Sequence, residues 1–367
     1  MPARRPRVFA TADIGAAALD SLRAAGYEVE VYPHVEAPPY ELILARVQSG
    51  IAGLITTLRD RIDEAIFAAG AAAGLKVVAQ DAVGFDNIDR GAANRHRIPF
   101  TNTPGVLTDA TAEFALFMLG ALARKLWPAE KLVRENRWGA WHPQYPMLGD
   151  EVTGKAVAVV GLGRIGRAFA RKCLGFAMQI RAVESAAGAD AFATAGESAL
   201  EALQRLEPEA PRGSFRVVPL REALAEADFV SLHVPLVRPA AGGEGGTYHL
   251  INDETLGWMK PSTYLVNTSR GPVVDEAALA RALLAGRLAG AALDVFETEP
   301  LPADSPLRDA RLEDRLRLYP HFASAGAITR LSTDPDRGMA GRCVQALRDV
   351  IERGASPFVV NREVFSA

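Results

Sequence analysis

The sequence predicts an α/β fold built from parallel sheets and divided into two units. Three observations carry this. Short apolar runs of strand length alternate with helix-length segments along most of the chain, the pattern of βαβ crossovers. A glycine-rich turn, Gly161-Leu-Gly163-Arg-Ile-Gly166, lies between one such apolar run and one such helix. At 367 residues the chain exceeds one average domain and has material for two cores.

In the first third, "RVFAT", "YEVEVY", "IAGLIT" and "LKVVAQ" are the strands, separated by helical segments such as "GAAALDSLRAAG" and "RIDEAIFAAGAAAG". "FTNTPG" closes this unit with turn chemistry. A long alanine-rich helix follows, about Asp109 to Leu126, apolar on several faces and so expected between elements or subunits. A second α/β series starts at Lys155, with strands at "AVAVV", "QIRAVE", "FRVVPL", "DFVSLHV", "TYLVNTS" and "GAALDVF". Residues 185–214, rich in Ala and Glu, are expected to carry a surface helix, and the glycine-rich 238–246 a loop. An amphipathic segment, about Arg337 to Arg353, reads as a closing helix.

Composition narrows the function. Hydrophobic content of 49% and charged content of 23% are those of a globular protein. A net charge of −3 offers no overall attraction to nucleic acid or an anionic membrane. No apolar run reaches the ~18 residues of a membrane span, and "MPARRPRVFATADI" has no apolar core of a secretory signal. Cys173 and Cys343 are the only cysteines and show no metal or redox spacing, so no metal site is expected and a cytoplasmic setting is.

The glycine turn points to a dinucleotide and makes its unit Rossmann-like. Gly161 would form the tight turn, Gly163 would let the backbone approach a pyrophosphate, and Gly166 would let helix pack on strand. The helix it opens, starting with Arg164 and Ile165, presents N-terminal amides to the anion. Glu184, 18 positions beyond Gly166, is placed to accept the ribose hydroxyls and to repel a 2′-phosphate. Ser185-Ala186-Ala187 supply no arginine to hold that phosphate, so NAD(H) is expected over NADP.

In the second half, Arg270 leaves a buried apolar run, where a guanidinium is costly unless an anion meets it. Asp294 ends the next strand, Glu299 precedes Pro300, and His321 follows Pro320, whose fixed φ makes a stiff corner. An arginine, a carboxylate and a histidine near strand exits of one α/β unit border a ligand crevice. His34, His96 and His249 are read as structural.

Seven signatures carry a resemblance: "VGFDNID" (83–89), "NTPGVLTDATAEFAL" (102–116), "GLGRIG" (161–166), "HVPL" (233–236), "NTSRGPVVDEAAL" (267–279), "DVFETEP" (294–300) and "PHFASA" (320–325). In these, over nearly its whole length, the chain is similar to the D-isomer-specific 2-hydroxyacid dehydrogenases, particularly the glyoxylate/hydroxypyruvate reductase branch. The resemblance implies two Rossmann-like domains: a discontinuous, flavodoxin-like catalytic domain, 1–105 plus 321–367, and an NAD-binding domain, 106–320, inserted in it. Substrate would lie in the cleft, and the molecule would be a homodimer joined through its cofactor domains. Arg270 would bind the carboxylate and carbonyl oxygen of a small 2-oxo or 2-hydroxy acid. Glu299, rather than Glu297, would pair with His321, the acid/base. Val83 and Gly84 would offer amides to the carboxylate. Thr108, His233, Val234, Pro235, Thr268, Ser269 and Asp294 would contact the cofactor, Asp294 at the nicotinamide amide.

The chemistry explains these residue types. As hydride reaches C2 of a 2-oxo acid, the carbonyl oxygen gathers charge, which a protonated His321 relieves by donating a proton. A carboxylate on its other nitrogen fixes the tautomer, and Arg270 polarises the carbonyl. Several residues depart from the family pattern. Tyr319 and Phe322 flank His321, and Phe322 would either narrow the pocket or pack beneath it, the second being favoured. Trp138, Trp141, His142 and Tyr145 would line a neighbouring subunit's cleft or pack among themselves. The alternatives are a phosphite dehydrogenase, against which Val83 stands where that branch has lysine, and an NAD-sensing corepressor.

Overall fold

The computed structural model describes residues 5–144, 147–184, 188–239 and 245–365. Tyr145, Ser185-Ala186-Ala187 and the centre of the glycine-rich segment lie outside the described residues. The chain forms two compact units, Met1–Leu107 with Ser324–Ala367, and Thr108–Ala323.

The first unit holds β1 (Arg7–Ala10), β2 (Glu28–Val31), β3 (Gly53–Thr56), β4 (Val77–Gln80) and β5 (Phe100–Thr101). They form one parallel sheet in the order β2-β1-β3-β4-β5, the flavodoxin-like order. β3 and β4 are buried throughout, as strands covered on both faces must be. One face packs Val8, Ala10 and Ile55 against Cys343, Val344 and Leu347 of the helix Met339–Arg353. The other packs Phe9 and Leu54 against Ile43, Ile66 and Phe67. The chain end therefore returns to this sheet, and Val360 N donates to Phe100 O (2.9 Å).

The second unit holds β6 (Ala156–Val160), β7 (Gln179–Val183), β8 (Ser214–Val217), β9 (Phe229–Leu232), β10 (Tyr264–Asn267), β11 (Gly290–Leu293) and β12 (Leu316–Leu318). All run parallel in the order β12-β11-β10-β9-β6-β7-β8. The order reverses beside β6, so the β6–β9 boundary is the switch point where α/β sheets open a crevice. Two apolar clusters cover its faces, one around Leu232, Leu265 and Leu279, the other around Phe169, Phe229 and Val266.

Three elements differ from expectation. The alanine-rich helix runs Thr108–Ala123 and then breaks, and a second helix, Leu126–Arg134, restarts after Lys125 turns to φ 51°. Pro128 cannot donate within a continuing helix but fits the first turn of a new one. β5 lies in "FTNTPG", read only as a turn, and β12 in "RLRL", whose alternating arginines hide an edge strand. The unit edges fall two residues after 105 and three after 320; at the second, the His321 corner hangs on Asp294 and so stays with β11. The helix in 185–214 spans Ala189–Leu206. Among the described residues no helix is long and apolar enough to cross a membrane.

Candidate active site

β6 is a buried run of small and β-branched residues that delivers the chain to Gly161. Gly161 sits at φ 96°, and a Cβ there would lie 2.9 Å from both His233 O and Val234 Cγ1, a conformation and a space that only glycine accepts. A Cβ on Gly166 would fall 1.8 Å from Gly161 O, so the helix Arg164–Leu174 packs directly on the turn. Gly163, the residue capping that helix, has nothing within 4 Å of an added Cβ. Tight turn, close packing and an open approach at the helix N-terminus fit a pyrophosphate. Glu184 Oε2 accepts from Leu162 N (2.8 Å), which fixes the acid beside the turn.

His233, Val234 and Pro235 follow β9 across the switch point. The His233 ring packs on Phe169 (centroids 4.9 Å), its Nε2 pairs with Ser231 Oγ (2.9 Å), and burial pushes its pKa down to about 3. Its imidazole is therefore neutral and braces the turn from behind. Thr268 is buried, and its Oγ1 has no hydrogen-bond partner among the described residues, an orphaned polar group of the kind a ligand satisfies.

Asn267 shapes the Arg270 loop. Its Oδ1 accepts from Ser269 N (3.0 Å) and Oγ (2.8 Å), and its Nδ2 donates to Arg270 O (2.9 Å). Nη1 of Arg270 donates to Ser269 O (2.7 Å). Asparagine closing a turn on its own backbone is a signal readable in sequence, although Asn267 is not among the residues that the sequence singles out above.

His321 sits at φ 54°, a left-handed conformation costly for a residue with Cβ. Asp294 holds it there. Asp294 O accepts from His321 N (2.8 Å), Oδ1 from Phe322 N (2.6 Å) and Oδ2 from Ala323 N (2.8 Å). Burial raises the Asp294 pKa even though those amides and His321 pull it down. Glu299 Oε2 lies 2.9 Å from His321 Nδ1, and Oε1 accepts from Phe296 N (3.0 Å). Burial alone would raise Glu299. The bond to His321, that ring's charge, the Phe296 amide and the charge of Arg270 outweigh it, and the pKa is lowered. Glu297 instead faces Glu276 and His249. Phe322 packs edge-on against Phe114 (6.1 Å) yet stays half exposed, and Tyr319 packs on the same ring (5.3 Å).

The second unit thus gathers the glycine turn, Glu184, Thr268, Arg270, Asp294, Glu299 and His321, with Thr108 at its first position. Val83 and Gly84 lie in the first unit, after β4. Val83 O accepts from Asn102 Nδ2 (2.8 Å) and Gly84 O from Gln80 Nε2 (3.1 Å). Their amides donate to nothing among the described residues.

The profile of the D-isomer specific 2-hydroxyacid dehydrogenase, NAD binding domain, matches residues 116–323. A glyoxylate reductase of Korarchaeum cryptofilum is 43% identical over 327 residues, 89% of either chain. One from Pyrococcus horikoshii is 38% identical, covering 98% of this chain and 97% of its own. Among solved structures, a Thermus thermophilus protein superposes with a TM-score of 0.79 at 38% identity, over 96% of this chain and 99% of its own. An NADPH-dependent glyoxylate/hydroxypyruvate reductase of Sinorhizobium meliloti gives 0.73 at 28%, over 97% and 98%. A match to the family's cofactor domain over more than half the chain, joined to relatives alike along nearly all of it, leaves one conclusion: the protein is an oxidoreductase that belongs to the D-isomer specific 2-hydroxyacid dehydrogenases.

Proposed function

We propose that the protein interconverts a small 2-oxo acid, of the glyoxylate or hydroxypyruvate kind, and its D-2-hydroxy acid, with NAD(H) as the cofactor and His321 as the acid/base. The observation that carries this is the 2.9 Å contact between Glu299 Oε2 and His321 Nδ1, in the same unit as the glycine turn. NADH held at that turn supplies the hydride.

The chain's own residues do the rest. Glu299 holds the proton on Nδ1 and orients the ring, so Nε2 can give a proton to the developing alkoxide. Arg270, with its loop set by Asn267, grips the carboxylate and polarises the carbonyl. In the first unit, Val83 and Gly84 carry amides able to donate to a carboxylate. Gly161, Gly163, Arg164, Ile165 and Gly166 would cradle the pyrophosphate of a bound dinucleotide, and Glu184 would accept hydrogen bonds from its ribose hydroxyls. His233, Val234, Pro235, Thr108, Thr268, Ser269 and Asp294 complete the cofactor site. Glu184, anchored on Leu162 N, supports NAD over NADP, although one structural neighbour is NADPH-dependent.

Homodimerisation is supported by apolar side chains standing in water on the second unit, Phe117, Leu126, Trp127 and Val133 among them. Both cysteines are free and buried, which suits a reducing cytoplasm; cell fractionation checks that placement. The central test is His321→Asn, assayed by NADH oxidation with glyoxylate and hydroxypyruvate. Turnover should collapse while NADH binding, followed by fluorescence titration, stays at the wild-type value. Near-normal turnover in H321N would remove His321 from the chemistry.

A further inference from the structure

Glu297 stands two positions before Glu299 yet has a different set of neighbours. Its Oε1 accepts from Glu276 N (3.1 Å), while Glu276 Oε1 accepts from Glu297 N (2.6 Å). This reciprocal exchange ties the first turn of the helix Glu276–Leu284 to the loop that leaves β11. His249 Nε2 lies 3.3 Å from Glu297 Oε1, close enough for an ion pair though not aligned as a hydrogen bond.

His249 is itself held in place. It adopts φ 49°, its ring stacks on Tyr248 (4.0 Å, 15°), and its amide donates to Pro272 O (2.8 Å), two residues past Arg270. The two loops also touch directly, since a Cβ on Gly271 would fall 1.8 Å from Phe296 C. The Arg270 turn and the Glu299 loop are therefore joined by backbone packing, by the Glu276–Glu297 exchange and by His249. Glu276 is almost fully buried. The Glu297 side chain beside it is 32% exposed. Burying one carboxylate next to another is unfavourable for stability, which points to a benefit other than folding.

We propose that Glu297 and Glu276 are positioning residues that set the distance between Arg270 and the Glu299–His321 pair, so that carboxylate clamp and proton donor move as one piece. The proposal rests on the reading of Arg270, Glu299 and His321 given above. A 2-oxo acid presents its carboxylate and its carbonyl on adjacent carbons, so one rigid spacing serves every small member of the class. Displacing a positioned group by about 1 Å can cost on the order of 100-fold in rate.

The test compares wild type with E297A, E276A, the double variant, E297Q and E297D in the full-length protein. KM and kcat are measured with glyoxylate and hydroxypyruvate, with NADH affinity by fluorescence titration and Tm in parallel. E297A should raise KM and lower kcat, together amounting to about 10- to 100-fold in kcat/KM, with NADH affinity unchanged. The double variant should be no worse than the worse single one, because the two residues act as a unit. E297Q keeps an acceptor for the Glu276 amide and should restore most of the loss. E297D, which shortens the reach but keeps the charge, should show a smaller loss and decides the matter where E297A does not fold. A lower Tm with wild-type KM and kcat would reduce the pair to a brace of the fold and overturn the proposal. So would a loss in E297Q equal to that in E297A. If H321N keeps its turnover, the reading of the site itself fails. If H321N is inactive while E297A and E297D keep wild-type kinetics, only the coupling fails.

Discussion

Glu299→Gln tests the electrostatics of the site, because it removes one charge and little volume. His321 Nδ1 and Glu299 Oε2 are 2.9 Å apart, with side chains 31% and 37% exposed. Unit charges about 4 Å apart attract by about 4 kcal/mol at an effective dielectric of about 20. Partial exposure screens this to about 1–3 kcal/mol, which converts to about 5- to 150-fold. Glutamine cannot satisfy both neighbours either. If its oxygen takes the Nδ1 proton, its amide group opposes the Phe296 N–H, which now bonds Oε1 of Glu299. The expected result is a fall of that order in kcat/KM for 2-oxo acid reduction at neutral pH. The assay is the pH profile of NADH oxidation from alkaline to acid buffer. The deficit should narrow as pH falls toward the lowered Glu299 value, where the wild-type carboxylate is itself protonated and resembles the amide. A deficit constant with pH would mean that Glu299 only orients the ring, and no deficit would refute the pairing as catalytic. Stability has its own sign. The Glu299 pKa is lowered in the folded protein, so its contribution is present above the ordinary carboxylate range and is lost as pH falls through the lowered value. E299Q should flatten that acid-side slope in urea unfolding.

Arg270→Ala should raise KM for the 2-oxo acid and lower kcat. Two charged hydrogen bonds lost at about 1.5–3 kcal/mol each amount to about 10²- to 10⁴-fold in kcat/KM. Tm should change little, because Asn267 and the Val273 amide bond Arg270 O, which stays in the variant, while the guanidinium's bond is to the adjacent Ser269 O; unchanged kinetics would exclude it as the clamp. Glu184→Ser should narrow the preference for NADH over NADPH by about tenfold or more, as one repulsive charge leaves the ribose site, and titration with both dinucleotides reads this directly. Val133→Asp, on a side chain 59% exposed, should weaken a dimer twice over, because a two-fold interface repeats every contact. With about 1.5–3 kcal/mol per lost apolar side chain, sedimentation equilibrium should show about 10²- to 10⁴-fold weaker association; a wild-type distribution would place the interface elsewhere.

Much of this molecule is legible in its sequence because the signals are local. Period and composition mark β3, β4, β6, β9, β10 and β11 as buried strands, since parallel strands covered on both faces must be continuously apolar. The spacing of Gly161, Gly163 and Gly166 encodes a turn whose steric demands are met within a few residues. Arg270, Glu299 and His321 stand out as the wrong residue types for strand exits unless chemistry requires them. β12 escapes notice because a short edge strand needs only one covered face and one partner, and β5 because two residues, although both buried, are too few to show a period.

Pairings between distant segments had to wait for the folded chain. The resemblance names Glu299 over Glu297 as the partner of His321, but no local pattern gives a physical reason; in the fold His321 meets Glu299 and the Glu276 amide meets Glu297. Nor does sequence show Asp294 holding the 321–323 corner with both carboxylate oxygens, or Asn267 folding the Arg270 loop. Hydrogen bonds depend on ångström-scale distances, which are set when strands far apart in the chain line up in one sheet. Residue types and their spacing name the groups able to act, and the packing of β10 beside β11 selects which of them act together.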